Sequence, residues 1–221
     1  MLLSSFHKPY LCGPFFKFMK DSSSHLPIME HFYTIQGEGA KTGTSAYFIR
    51  LAGCDVGCSW CDVKESWNAK NHSRFSIADI IAWTNEGAGE WVVITGGEPC
   101  MYDLHELTAA LHAKGKKIAL ETSGAYPIRG KFDWVCLSPK KFKAPLAENW
   151  PLVHELKVIC YNQHDFKWGE EMAQNIHHPI EQFFQPEWGK REVRMSEIVD
   201  YVKRNPTWRI SLQTHKYLDI P

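Results

Sequence analysis

Three cysteines, Cys54, Cys58 and Cys61, stand within eight residues of one another. Thiolates are soft ligands, and a Cys-x3-Cys-x2-Cys spacing in one loop suits two metal chemistries. The first is an iron–sulfur cluster, in which three cysteines hold three corners of a cuboid and the fourth iron stays open to a ligand. The second is a zinc ion completed by His72 or another histidine. Structural zinc usually draws its ligands as two pairs from separate knuckles. Here a single knuckle carries all three thiols, and the sequence has no second pair. The spacing favours the cluster over the ion.

Other candidates lie at the ends of apolar runs. Gly96-Gly97-Glu98-Pro99 follows a β-branched stretch. Its glycines let backbone approach a ligand closely, and its carboxylate can pair with an ammonium. Gln36-Gly37-Glu38-Gly39 offers an amide and a carboxylate on a turn, although two glycines often mark a turn and nothing more. Arg50 interrupts an apolar run. Its planar fork can hold a carboxylate bidentately, or the side chain can simply snorkel from a sheet edge. His31 and His215 read as packing or hydrogen-bonding residues. Cys100, Cys136 and Cys160 read as small buried side chains.

The elements that must position these residues alternate in type. Strands are expected at 45–51, 91–95, 117–122, 133–138, 153–159, 180–185 and 207–213. Helices are expected at 76–86 behind Ser76 as N-cap, at 103–114 behind Asp103 and ending at Gly115, near 163–174, and at 191–204. Such alternation predicts a parallel α/β sheet whose strands all end on one rim. That rim collects Thr95 to Glu98, Glu121 to Gly124, Ser138 to Lys140, Gln185-Pro186 and Gln213 to His215. Several connections lack a clear helix. The expected fold is therefore an open, incomplete (β/α) barrel of about six parallel strands. Residues 1–28, rich in Ser, Pro and Phe, read as a poorly ordered N-terminal extension, and 29–221 as the one domain.

Composition narrows the setting. The 221 residues carry 25 Lys plus Arg against 25 Asp plus Glu, a formal charge of zero. A nucleic-acid binder that works by displacing counterions needs a basic excess. No apolar run approaches the roughly 20 residues of a membrane helix. The seven cysteines are odd in number and mostly scattered, unlike a secreted disulfide framework. A reducing, cytoplasmic setting is expected, with no membrane and no nucleic-acid partner.

The cysteine loop, Trp60 just before its last cysteine, and the Gly-Gly-Glu-Pro segment 35 residues further on together resemble the radical S-adenosylmethionine (SAM) superfamily. The resemblance is closer to one member. Residues 31–39, 45–54, 58–67, 95–99, 121–124, 138–140, 183–187 and 212–221 are similar, in order, to the 7-carboxy-7-deazaguanine synthase family, from about Met29 to Pro221. That resemblance implies a lyase that converts 6-carboxy-5,6,7,8-tetrahydropterin to 7-carboxy-7-deazaguanine with loss of ammonia, on the route to queuosine and related deazapurines. It implies a 4Fe–4S cluster on Cys54, Cys58 and Cys61. SAM would lie against Trp60, Cys61, Asp62, Gly97, Glu98, Ser123, Ser138, Pro139, Lys140, Gln185, Pro186 and Glu187. The substrate would meet Ile35, Gln36, Gly37, Glu38, Arg50, Thr95 and the terminal carboxylate of Pro221. A homodimer and a flavodoxin- or ferredoxin-type electron donor are implied as well.

One position departs from the pattern. Many members place Thr two residues after the last cysteine, where its hydroxyl ligates Mg²⁺. This chain has Val63 there, which offers a hard cation no side-chain oxygen. Weak or absent Mg²⁺ stimulation is expected. Two rival readings share parts of the motif set: a glycyl-radical activating enzyme, and a zinc-binding interaction module. The Gln36 to Gly39 turn, Arg50 and Pro221 favour a small polar heterocycle over a large protein partner.

Overall fold

The computed structural model describes residues 24–221. Its strands are β1 (His25–Ile35), β2 (Ser45–Leu51), β3 (Arg74–Ser76), β4 (Trp91–Gly96), β5 (Lys117–Thr122), β6 (Trp134–Leu137), β7 (Glu155–Cys160), β8 (Glu181–Pro186) and β9 (Arg209–Ile210). Its helices are α1 (Ile77–Trp83), α2 (His105–Ala113), α3 (His164–Ala173), α4 (Arg191–Arg204) and α5 (Thr214–Leu218). One sheet runs in the order β3-β1-β2-β4-β5-β6-β7-β8-β9, and its two end strands do not pair with each other. From β2 onward every pairing is parallel, while β1 runs antiparallel to β2 and β3. The expected open barrel is present, with seven parallel strands where about six were expected.

Strand alternation divides apolar from polar side chains. Tyr47, Ile49 and Leu51 of β2, Val92 and Ile94 of β4, and Ile118 and Leu120 of β5 pack beneath α1 and α2. Leu156 and Val158 of β7 and Phe184 of β8 form a second core with Phe166 of α3, Ile198 of α4 and Trp208. The intervening positions point the other way, into the barrel. They include Arg50, Thr95, Glu121, Lys157 and Gln185. Register reinforces this, since Arg50 lies directly beside Thr95 across the β2–β4 pair.

Four expectations are corrected. The sheet begins at His25, so the segment read as extension contributes strand as far as residue 28. Leu26 and Ile28 are 2% and 4% exposed. Pro27 disguised the strand, because it has no N–H; its carbonyl instead accepts from Ala52 N at 2.9 Å. The rest of that extension lies outside the described residues. Helix α1 stops at Trp83, where the Thr84 hydroxyl bonds the Ile81 carbonyl at 2.8 Å. Helix α2 starts at His105, with Asp103 accepting from the His105 N–H at 3.0 Å. The last strand shrinks to two residues, Arg209 and Ile210; Ser211 N still donates to Phe184 O at 3.0 Å, and the Ser211 hydroxyl donates to Gln185 Oε1 at 2.6 Å. Ser76 and Gly115 act as expected: Ser76 forms a full capping box with Asp79, and Gly115 ends α2 with φ at +73°.

Candidate active site

The inner face and the C-terminal rim enclose a cavity of about 290 Å³. All three clustered cysteines line it, with Trp60 and Asp62 of the same loop and Gly97 of the next strand end. The loop and that strand end are bound to each other directly. Gly97 N donates to Leu51 O at 3.0 Å and Glu98 N to Gly53 O at 2.8 Å. A Cβ on Gly97 would come within 2.4 Å of the Gly53 oxygen and 2.7 Å of Cys54 Cβ, so only glycine fits there. The loop's outer side is tied back by Gly53 N to Ser66 O at 2.6 Å and Cys54 N to Trp67 O at 3.1 Å.

None of the three thiols is in a disulfide. Burial pushes the Cys54 and Cys58 thiols above the ordinary cysteine range. Among the described residues, no three His, Cys, Asp or Glu side chains close on one point as ligands of a single ion would. Three free thiols on one loop, spread along one cavity wall, fit a cuboidal cluster that holds each thiolate at its own corner.

Further round the rim, Ser138, Lys140, Gln185, Pro186 and Glu187 line the same cavity. Lys140 Nζ donates to Ser138 O at 2.6 Å and to Ser138 Oγ at 2.7 Å, and lies 5.8 Å from the Trp60 ring centre. Two expected cofactor contacts do not line it. Pro139 is buried behind its neighbours. Glu98 is 1% exposed, and its carboxylate is saturated by four donors: Cys100 N at 3.0 Å, Thr122 Oγ1 at 2.6 Å, Ser123 N at 2.9 Å and the Ser123 hydroxyl. A carboxylate so engaged braces the end of β4 to the end of β5 and is not available to pair with an ammonium.

Ile35, Gln36, Gly37, Glu38, Arg50, Thr95 and Pro221 line the same cavity. Among the described residues, Arg50 gives only Nε to Glu30, at 2.6 Å, and the terminal nitrogens of its fork face the cavity side of the strand. The Gln36 to Gly39 turn is locked from several directions. Gly39 adopts φ +64°, and a Cβ there would sit 1.9 Å from Glu155 Oε1. Glu155 accepts from Ala40 N at 3.1 Å and Trp134 Nε1 at 3.0 Å, and Ser211 Oγ accepts from Gly39 N at 2.9 Å. Thr214 bonds the Gly37 carbonyl through its N–H at 2.9 Å and its hydroxyl at 2.8 Å.

Several lining residues were absent from the expected site. Glu121, Lys157, Gln213 and His215 face the cavity. Lys157 Nζ donates to Glu38 Oε2 at 2.6 Å and Glu121 Oε2 at 2.9 Å; Gln213 Nε2 reaches Glu38 Oε1 at 3.0 Å. Burial alone would raise the Glu38 carboxyl, but the Lys157 ammonium outweighs it and brings the pKa down to about 2. Burial lowers His215, read from the sequence as a packing or hydrogen-bonding residue. One signal could have found Lys157: Glu155 and Lys157 alternate in an otherwise apolar strand, which marks a polar inner face.

Comparison with known proteins agrees with this geometry. Residues 48–135 match the Radical SAM superfamily model. A 7-carboxy-7-deazaguanine synthase from Flavobacterium psychrophilum is 56% identical, over 89% of this chain and 93% of that protein. The chain belongs to the 7-carboxy-7-deazaguanine synthase family. Another member, from Synechocystis, is 46% identical over 88% of this chain and 93% of its own. The crystal structure of QueE from Escherichia coli superposes with a TM-score of 0.78 at 30% identity, covering 85% of this chain and 93% of that one. Membership in this family removes the activating-enzyme and zinc-module readings. It also accounts for a cysteine loop and a polar inner face sharing one cavity.

Proposed function

We propose that this chain is a radical SAM lyase converting 6-carboxy-5,6,7,8-tetrahydropterin to 7-carboxy-7-deazaguanine with release of ammonia, in queuosine biosynthesis. The observation that carries the reading is the single cavity lined both by three free thiols and by Gln36, Glu38 and Arg50. Cys54, Cys58 and Cys61 hold the 4Fe–4S cluster, which when bound and reduced supplies the electron that cleaves SAM. Gly97, Trp60, Asp62, Ser123, Ser138, Lys140 and Gln185 to Glu187 form the SAM wall.

The protein's own part is position and electrostatics. The Arg50 fork takes the substrate carboxylate, with Thr95 beside it on the neighbouring strand. Gln36 offers an amide donor and acceptor to the pterin edge, and Glu38, held ionised, accepts from its guanidine-like nitrogens. Gly37 permits close approach of the C-terminal segment: a Cβ there would lie 2.3 Å from His215 Nδ1. Pro221 closes this end, its oxygen accepting from the Thr34 hydroxyl at 3.2 Å.

Magnesium does not fit the residues present. Val63 lines the cavity without an oxygen, Ser66 Oγ donates to the Val63 carbonyl at 2.7 Å, and Asp62 pairs with Lys216 at 3.0 Å. We therefore expect weak or absent Mg²⁺ stimulation, and a large activity loss on rigorous Mg²⁺ removal would overturn that. A flavodoxin- or ferredoxin-type donor, a homodimer and a cytoplasmic location complete the proposal. No described helix is long and apolar enough to cross a membrane. The test is anaerobic cluster reconstitution, then incubation with SAM, a reductant and the carboxytetrahydropterin. Formation of the deazaguanine supports the reading; SAM cleavage without it defeats the substrate assignment.

A further inference from the structure

Lys157 sits mid-strand in β7 between two fully buried side chains, Leu156 and Val158, and is itself 3% exposed. An ammonium persists there only if it is paired and hydrogen-bonded. Its two partners come from distant places. Glu38 lies on the turn after β1, and Glu121 lies near the C-terminal end of β5, two strands away in the sheet. The arrangement is reciprocal. Each carboxylate gives one oxygen to Lys157 and the other to a cavity-lining amide: Glu38 Oε1 to Gln213 at 3.0 Å, Glu121 Oε1 to Gln36 at 3.3 Å. Each oxygen retains a second lone pair.

We propose that Lys157 is a positioning residue that holds the Glu38 and Glu121 carboxylates in place, so that together they accept the N–H groups of a planar, donor-rich heterocycle. The inference rests on the pterin reading and deepens it: specificity at this end comes from a charged triad, not from Glu38 alone. The titratable groups facing the triad are Glu155 on β7, Cys136 on β6, Lys140 on the rim after β6, and His215 on α5. Burial lowers Lys140 and His215 and raises Cys136 and Glu155, which disfavours the charged form of each. Lys157 is raised despite its burial by the surrounding negative charge, so it stays protonated and serves as a fixed cation. Without it, burial would act on the Glu38 carboxyl with its main opposing charge gone. A protonated carboxyl loses an acceptor site and gains a donor that faces the substrate's own donors.

The test is titration calorimetry of the reconstituted, unreduced enzyme with SAM present, measuring carboxytetrahydropterin affinity at several pH values for wild type and Lys157→Met. Methionine keeps the stem volume without the charge. Lys157→Gln serves as a second variant, so that a folding failure of one leaves the other. The wild-type dissociation constant should be flat across the neutral range. As pH falls, the variants should weaken by up to about tenfold per pH unit once the unpaired Glu38 carboxylate begins to protonate, while SAM affinity changes far less. A pH-flat variant curve, or equal loss of SAM and pterin affinity, overturns the role. Failure of the wild type itself to bind the pterin defeats the substrate reading first, and this inference with it.

Discussion

The Gln36 to Gly39 turn and the loop carrying Cys54, Cys58 and Cys61 border one cavity but are held in opposite ways. The turn is bonded to β5, β7, Ser211 and the C-terminal segment, mostly by buried side chains and with charges already paired. The cysteine loop is held mainly by backbone bonds on its outer side, and an exposed contact joins it to the next rim loop: Asp55 accepts from Lys143 at 2.8 Å and from Tyr126 at 2.5 Å. Burial raises its Cys54 and Cys58 thiols, which a bound metal must reverse, since ligation requires thiolate. One end is preorganised for a ligand that comes and goes. The other is completed by a resident group whose binding energy helps to order it.

The largest effect that separates the two ends is Cys58→Ala. It should abolish both SAM cleavage and deazaguanine formation and lower bound iron. Pterin affinity in the SAM-free protein should fall far less, because the turn's own bonds run to β5, β7, Ser211 and Thr214, and the loop meets that last segment through the exposed Asp62–Lys216 pair. Joint loss of cluster and pterin affinity would show that the ends are not independent.

Glycine substitutions sharpen the contrast further. Gly39 and Gly57 share the left-handed region, at φ +64° and +75°. Alanine at either should cost about 1–2 kcal/mol of backbone strain. At Gly57 nothing lies within 4 Å of the new Cβ, so that strain is the whole effect. At Gly39 the Cβ displaces the Glu155 carboxylate from two half-buried donors, adding roughly 1 kcal/mol for each that goes unsatisfied. Denaturant midpoints should therefore fall about twice as far or more for Gly39→Ala, with pterin affinity lost only there. Equal shifts would mean that the turn is no more rigid than the loop.

The same contrast governs what could be read without coordinates. The cysteine end is local: its ligands lie within eight residues, so spacing alone identifies it, and Gly97 follows from its own tetrapeptide. The substrate end is assembled across the chain. Lys157 meets Glu121 over 36 residues and Glu38 over 119, and no local pattern announces either pairing. Glu98 went astray for the same reason. A carboxylate at a strand end reads as a ligand until Thr122 and Ser123, supplied by the neighbouring strand, are seen to occupy it. Strand positions were legible wherever both faces were clear. They failed over the whole of β1, which holds Pro27 and alternates poorly, over the three residues of β3, and past Ile210, where the expected strand ends early.

Acid offers a test of the charged end alone. The folded pKa of Glu38 lies near 2, below its ordinary value of 4.5, so the ionised form stabilises the fold. That contribution is complete above the ordinary value and is lost as pH falls from about 4.5 toward 2. Its size is on the order of 3 kcal/mol. Urea midpoints of wild type should drop across this window with a component absent from Glu38→Gln. Parallel curves for the two proteins would remove Glu38 from the acid response.

The smallest effect belongs to the outer contact of the cysteine loop. The Asp55 side chain is 49% exposed and that of Lys143 35%, so solvent screens their pairing and its stability contribution should stay below about 1 kcal/mol. Burial alone would raise the Asp55 carboxyl; bonds from Lys143 and Tyr126 and the Lys143 charge lower it instead, so the contact is made by the ionised form. Asp55→Asn should leave the thermal midpoint within a degree or two, because nothing buried is uncovered. The residue nevertheless follows Cys54 directly, and the contact joins the loop to the segment that carries Lys140. Iron loss to a chelator, timed in the unreduced holoenzyme, should therefore quicken by a few fold while pterin affinity stays put. An unchanged rate would place the loop's restraint wholly in its backbone bonds to Ser66 and Trp67. A shift in pterin affinity would mean that strain in the open end reaches the preorganised one.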